Sequence, residues 1–513
     1  MSMQNMNYEH IPAEKFTFTQ MDASLHDKKL ETKSRSYMAD AFLRFKKNKS
    51  SVVGAIIIAV LLLFSVVSPI ISPYTVKDQD KLYQSFPAYA ESVAKLNIGI
   101  LDGGYTIASQ NEKSMQFWAG IAQETGMDPV NKIVDTTTTY VMHKGQQKAN
   151  VSYKININRY YSIGVVYRVL SYAEFEKIQR WQDETGIQVI YPYVDPADIE
   201  GISDNANIWY KVSDSKGTPE LDADGNFIPV YSTNASKAGA EYTSIRIPGD
   251  DGSYVYSTAK SGSVQCRVCY YNYYQYVNGR TPFYLFGTNS MGMDLFSAIG
   301  VGARFSIVFA ILVSAINLFI GAIYGAIEGY YGGGVDMTME RISDILSGVP
   351  FVVCTTLFQL HLAQKVGVVP SFLFAFVLTG WISMASLTRK QFYRFKGQEF
   401  VLAARTLGAS DWRLMFKHIF PNSLGTIITS CALVIPSVIN SETSMTYLGI
   451  INLSDFAGTT IGTLISQGNA AMTAAPHGVF WPSLYLSLLL ISFNLFGNGL
   501  RDAFNPSTRG AED

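Results

Sequence analysis

Charge is what this sequence has least of. Asp, Glu, Lys and Arg make up 16% of its 513 residues, well below the roughly one quarter usual in a globular chain. The deficit is concentrated near residues 51–76 and 304–500, and mean hydropathy is +0.11. The net charge of −1 excludes the basic balance that a nucleic-acid partner requires. No Gly-Lys-Ser/Thr phosphate loop is present, so the chain does not bind and hydrolyse ATP by that route. Cysteine is scarce, at four residues. Cys354 and Cys431 fall in apolar runs and read as core. Cys266 and Cys269 have no second pair outside those runs, which excludes a four-thiolate zinc site. The six histidines (His10, His26, His143, His361, His418 and His477) are scattered. No nucleophile, base or metal-ligand cluster accompanies them, so no catalytic residue and no resident metal is expected. His361 lies in an apolar run. There an ionisable group is a functional candidate, with a neutral ring satisfied by a neighbouring helix as the equal alternative.

What is present is a set of long uncharged stretches. Residues 1–40 are polar and mixed in charge, and the first apolar run starts only near Ser50 and lacks a small-residue cleavage pattern, so 1–49 read as a cytoplasmic tail, with 1–35 mobile, and not as a signal peptide. About 20 apolar residues cross a bilayer as a helix. Six stretches qualify: 50–76, 305–327, 345–364, 366–388, 419–441 and 479–500. A backbone in lipid must satisfy its own hydrogen bonds, which makes each of them helical. Pro350 and Pro436 are then expected inside the third and fifth spans. Lys and Arg cluster before the first span and between spans four and five, while 447–480 has none. This asymmetry places both termini in the cytoplasm and residues 77–303 outside.

The polar stretch 77–282 has the size of one soluble domain. Strand patterns occur at 151–157, 163–170, 187–193, 254–258 and 264–277. Ser171 and Glu174 form a capping-box pattern before Tyr172, Phe175, Ile178 and Trp181, which share a helix face ending at Gly186. An α+β fold follows. Asp222, Asp224 and Asn226 resemble a calcium loop, but the glycine falls one position early for that pattern, at Gly225, and a tight turn fits better. Cys266 and Cys269 could form a disulfide, stay as free thiols or link to a partner. On a strand their i, i+3 spacing points them to opposite faces.

Three further stretches carry pattern. Leu295, Phe296, Ile299 and Val301 suggest a partly amphipathic interfacial helix that leads into the second span and sets its tilt. Asp336, Glu340, Arg341 and Asp344 share a short helix, with Glu340 and Arg341 read as an ion pair. Residues 398–421 (QEFVLAARTLGASDWRLMFKHIFP) read as a helix–turn–helix. Phe400, Ala403, Ala404, Leu407 and Gly408 give the first helix a small, close-packing face. Gly408 ends that helix in a left-handed conformation, Ser410 or Asp411 caps the next, and Pro421 starts the fifth span. An amphipathic loop on the membrane surface is the plain alternative.

This last stretch resembles the cytoplasmic coupling loop of ABC importer permeases, through Ala403, Ala404, Gly408, His418, Ile419 and Pro421. More narrowly, the chain resembles the C-type permease of oligopeptide, dipeptide and nickel importers. The motifs recur in order: FGTNSMGMDLFS at 286–297, GARFS at 302–306, GYYGGGVD at 329–336, AARTLGASDWRLMFKHIFPN at 403–422 and FNLFGNGLRDAFNP at 493–506. The resemblance implies an all-α membrane permease with six transmembrane helices, of the type I importer kind. It would carry an extracellular α+β domain inserted at 77–282, a permease core over 283–506 and a cytoplasmic tail over 507–513. It further implies the plasma membrane of a prokaryote, a second permease subunit, two cytoplasmic ATPase subunits that bind ATP and Mg, and an extracellular peptide-binding protein. The implied coupling residues are Glu399, Leu402, Ala403, Ala404, Gly408, Ala409, Trp412, His418 and Pro421. The pattern departs from the family in three places. Leu402 stands where a glutamate is usual, Asn289, Met291 and Met293 alter the 286–297 motif, and the insert is long. A membrane-anchored receptor or adhesin, or an importer of nickel or another small solute, are the other readings.

Overall fold

The computed structural model describes residues 37–504 except 97–98, 144–145, 192–193, 195–204, 214–216, 231–245, 249–253, 257–262 and 454–456. The stretches 1–35 and 507–513, read as tails, lie outside the described residues.

The uncharged runs fold as long helices. Among the described residues five are long and apolar enough to cross a membrane: Lys49–Ile71, Leu295–Tyr331, Val368–Phe395, Asp411–Tyr447 and His477–Phe504. A sixth is reached only by counting Gly333–Ser347 and Phe351–His361 as one span bent by 73°. The third expected span is thus not a straight helix over 345–364. Pro350 is the N-cap of Phe351–His361 and not an interior residue, because its ring cannot continue the preceding helix. Pro436, by contrast, does sit inside its helix. The first span is shorter than 50–76, ending at Ile71. The helix expected at 295–301 forms and leads straight into the second span. The Asp294 carboxylate accepts from Phe296 N–H and Ser297 N–H, and one helix of 37 residues runs from there to Tyr331. Gly300 and Gly302 let it press on Ser68–Pro69 and Thr460–Ile461, where any Cβ would clash. At 1.5 Å per residue the helix is about 55 Å long, and its two ends carry different features.

At its start lies the insert. One sheet holds Gly104–Gln110, Gln146–Asn158 and Val130–His143, with Gln146–Asn158 central. A second holds Val165–Ser171, Ser263–Cys269 and Ile190–Tyr191, with Ser263–Cys269 central. The expected strand over 264–277 stops at Cys269 and becomes the helix Tyr270–Asn278. Tyr270, Tyr271 and Tyr274 are buried together, which is helical and not alternating spacing. The helix Tyr172–Thr185 forms as expected, with Ser171 capping the Glu174 N–H. The return half of the capping box is replaced, since Glu174 accepts from the Tyr276 hydroxyl.

Arg267 and Glu124 form a buried, two-pronged pair at 2.7 Å per prong, joining the second sheet to the helix Glu112–Thr125. The cysteines are not bonded. They sit on one strand with their side chains in different apolar clusters, Cys266 with Phe175 and Ile178, Cys269 with Tyr160 and Tyr271. Burial pushes both thiols up to about 12. In the 222–226 stretch the Asp222 carboxylate accepts from Asp224 N–H and Asn226 N–H, and Leu221 bridges Phe227, so it is a tight turn. Tyr89–Ala90 pairs antiparallel with Phe283–Tyr284, which brings the two ends of the insert together.

Candidate functional site: the hairpin at the far helix end

Residues 398–421 fold as the sequence indicates, as a helical hairpin. Glu399–Thr406 is the first helix. Gly408 follows at φ 84, a left-handed conformation that costs a residue with a Cβ about 1–2 kcal/mol. Ser410 is then the N-cap of Asp411–Arg413, without a side-chain bond of its own. A wider helical turn over Leu414–Ile419 leads into Phe420–Tyr447 without a stop. The hairpin is therefore part of a membrane-length helix, and Pro421 lies in the first turn of its apolar segment. Wide turns of this kind gather at functional sites.

The packing face differs from the expected one. Val401, Leu414, Met415 and Ile419 are buried against Ala326, Tyr330 and Phe392, with Ala404 and Ala409 packed at the edge. Phe400, Leu402, Ala403, Leu407 and Gly408 point outward, together with Glu399 and Trp412. Leu407 is 88% exposed and Trp412 65%. Trp412 stacks on Phe416 with ring centroids 4.2 Å apart, and His418 is half-buried, its carbonyl accepting from the Asn422 amide. The hairpin thus has one face fixed to the bundle and one apolar face open. A contiguous exposed apolar patch rimmed by charge marks a contact surface.

Polar bonds fix the hairpin as well. Tyr330, at the last turn of Leu295–Tyr331, donates to the Asp411 carboxylate at 2.6 Å, and Arg405 reaches the same hydroxyl at 3.4 Å. Lys396 donates to the Gly329 carbonyl at 2.9 Å. Beside them Arg389 donates to Glu340 at 2.6 Å and to Asp336 at 2.8 Å, with Glu328 3.6 Å away. The expected Glu340–Arg341 pair does not form. Successive helix residues point about 100° apart, so Glu340 meets Arg389 while Arg341 meets Asp344. The sequence reading missed Tyr330, Arg389 and Glu328 as a set. The one available signal is a charged residue directly after an apolar run, Glu328 after 305–327 and Arg389 after 366–388.

At the opposite end of the Leu295–Tyr331 helix, the loop 286–294 joins four parts of the chain. Its Asn289 carboxamide oxygen accepts from Met291 N–H and Met293 N–H, and its Nδ2 donates to Gln467 at 3.0 Å. Thr288 donates to the Tyr83 carbonyl and accepts from Phe86 N–H. Asp294 accepts from the Ser72 hydroxyl at 2.7 Å, and the His477 ring meets the Thr288 carbonyl at 3.2 Å. Gly292 sits at φ 79 directly against the Asp80 backbone, leaving no room for a side chain. Asn289, a departure from the family motif, is therefore what shapes the loop. Beside it lies a cavity of about 1020 Å³ walled by Met291, Met293, Thr446, Thr463 and Gln467. Deeper in the bundle, Glu442 is fully buried and accepts from the Ser306 hydroxyl at 2.7 Å. It ties two membrane-length helices together, although its sequence position marked only the end of a span. His361 is exposed at the end of its helix.

Residues 318–510 match the model of the binding-protein-dependent transport system inner membrane component. Residues 36–88 match the N-terminal TM domain of oligopeptide transport permease C. The chain is 39% identical over 224 residues to the oligopeptide transport system permease protein OppC of Bacillus subtilis, covering 44% of this chain and 72% of that protein. It is 40% identical over 231 residues to the dipeptide transport system permease protein DppC of Lactococcus lactis, covering 45% and 65%. Among solved structures, an amino acid ABC transporter covers 40% of this chain and 93% of its own, with 11% identity and a TM-score of 0.32, a likeness too low to carry an argument.

Proposed function

The chain belongs to the family of oligopeptide and dipeptide ABC permease subunits, and from that premise we propose how it works as the peptide permease of an ATP-driven importer. It is a multi-pass membrane protein. The hairpin at 398–421 is the point at which ATPase subunits push. One observation carries this reading: a hairpin with an open apolar face that is continuous with one membrane-length helix and bonded to the end of another. A docked partner that shifts the open face displaces both helices, because neither joint is loose. Leu402, in place of the usual glutamate, makes the contact with the ATPase apolar and not ionic.

The hairpin end is cytoplasmic, in keeping with its Lys and Arg, and the insert is extracellular at the other end of the Leu295–Tyr331 helix. ATP and Mg are held by the partner ATPases, which close on nucleotide. A second permease completes the pore, and an external binding protein delivers peptide to the end that carries the 1020 Å³ cavity. The test is co-expression with the ATPase, second permease and binding-protein partners, followed by peptide uptake and peptide-stimulated ATP hydrolysis in proteoliposomes. Uptake that needs ATP and this chain is the expected result. Absence of any ATPase association would favour a receptor whose spans are only an anchor.

A further inference from the structure

The insert carries an opening of its own, distinct from the cavity beside the 286–294 loop. It is a cleft of about 660 Å³ between the segment 74–82 and the helix Tyr270–Asn278. That volume falls within the range of small-ligand sites, about 300–1,000 Å³. Its floor is aromatic. The Arg168 guanidinium lies over the rings of Tyr270 and Tyr273, at 5.4 and 5.0 Å from their centroids. Among the described residues no carboxylate is paired with Arg168, nor with Lys77 or Lys81 on the facing wall. The two acids of the cleft are already engaged. Asp80 accepts from the Tyr270 hydroxyl at 2.6 and 2.7 Å, and Asp78 accepts from Thr75. The cleft therefore has a positive balance over an apolar floor, with Lys77, Lys81, Arg168 and Arg280 set against Asp78 and Asp80. Such a surface takes a ligand with a carboxylate at one end and apolar groups behind it.

Position narrows the ligand further. Lys77 and Gln79 line both this cleft and the 1020 Å³ cavity over the ends of the bundle helices. One strip of chain separates the two.

We propose that this cleft binds a short peptide through its C-terminal carboxylate, with Arg168 as the receiving cation, and so holds substrate beside the cavity that opens toward the bundle. The proposal rests on the peptide-permease reading and adds a site within the insert to it. Arg168, with its guanidinium packed over two rings, presents a rigid planar fork to a carboxylate. The peptide's final side chain lies along Tyr273 and Val277. Inorganic phosphate could satisfy the cations but not the apolar floor.

The experiment uses the full chain in nanodiscs, with calorimetric titration of Ala-Ala-Phe and of its C-terminal amide. The acid is expected to bind at least about tenfold more tightly than the amide, the ratio expected from one hydrogen-bonded charge. Arg168→Gln is expected to remove that preference while the near-ultraviolet circular dichroism of the tyrosine-rich insert stays unchanged. The amide comparison is made on the unaltered protein, so a misfolded variant cannot hide the answer. Equal affinity for acid and amide overturns the proposal. So does displacement of the peptide by inorganic phosphate at the same concentration, which would mark a simple anion site. No peptide binding to the chain, with normal uptake by the assembled importer, overturns this inference and leaves the permease reading intact. Loss of peptide uptake by the assembled wild-type importer would instead strike at that reading.

Discussion

The Tyr330 hydroxyl donates to the Asp411 carboxylate across 2.6 Å, joining the last turn of one membrane-length helix to the first turn of another. Tyr330 is nearly buried, whereas Asp411 is exposed. A hydrogen bond to a charged acceptor in such a place contributes about 1.5–3 kcal/mol. Tyr330→Phe keeps the ring in the apolar cluster and removes only the donor. The expected outcome is a complex that still assembles and hydrolyses ATP but moves fewer peptides per ATP. Parallel measurement of uptake and phosphate release checks this, and an unchanged ratio would show the joint to be incidental.

Gly408 faces open space, with nothing within 4 Å of where a Cβ would lie. Gly408→Ala therefore meets only backbone strain, about 1–2 kcal/mol, and should leave transport nearly normal. Gly408→Trp adds bulk to the open face and should abolish ATPase association or uncouple it, leaving the insert's spectrum unaltered. Pull-down of the ATPase subunits separates the two variants.

Arg389 holds three acids, of which Glu328 is almost fully buried and Asp336 mostly so. Arg389→Met leaves them facing one another with only the more distant charge of Lys396 to offset them. Removing one partner of a buried ion pair costs about 3–5 kcal/mol, so the variant should show a clearly lower melting temperature in detergent. Raising the salt concentration should restore little of this loss, because buried charges are weakly screened.

Arg267 and Glu124 lie in the insert with almost no exposure. Arg267→Met removes the cation that pairs with the Glu124 carboxylate and should destabilise the insert by a similar ~3–5 kcal/mol. The membrane helices should be unaffected. Limited proteolysis is expected to cut the insert while a fragment from about residue 283 onward survives.

Cys266 and Cys269 stay protonated up to about 12 in the folded insert, whereas an unfolded thiol ionises near 8.5. The protonated form is the one the fold favours. Its contribution is complete below about pH 8.5 and is lost as the pH rises toward 12. Neither thiol should react with a maleimide at pH 7.5 until denaturant is added, and intact-mass analysis should show no disulfide between them. Rapid labelling of the native protein would contradict their burial.

Much of the bundle is legible in the sequence because lipid-length runs have a single backbone solution, and the hairpin is legible because Gly408 and Ser410 are local signals. Long-range pairing is not. Nothing near Glu340 announces that Arg389, 49 positions later, will take it in place of Arg341. Likewise the tyrosines at 270–274 read as a continued strand until the rest of the tyrosine core, with Tyr83, Tyr89 and Tyr160 in it, is in place. Spans are marked by where charge stops, so charges drawn into the bundle, such as Glu328 and Glu442, are taken for boundaries. The hairpin's outward face also eluded the motif, since helical spacing shows that residues share a side but not which side meets the bundle.

The short ladder of Tyr89–Ala90 with Phe283–Tyr284 has a consequence for how such a chain could arise. Paired strands hold opposite Cα atoms about 4.5–5.5 Å apart, so residues 91–282 leave and rejoin the chain at nearly one point. To the permease core the stretch 91–282 has the end-to-end span of a tight turn. Ends joined by a ladder hold that separation fixed, whatever length of chain lies between them. A stretch closed in this way can differ in length between related chains without any bundle helix changing its length or register.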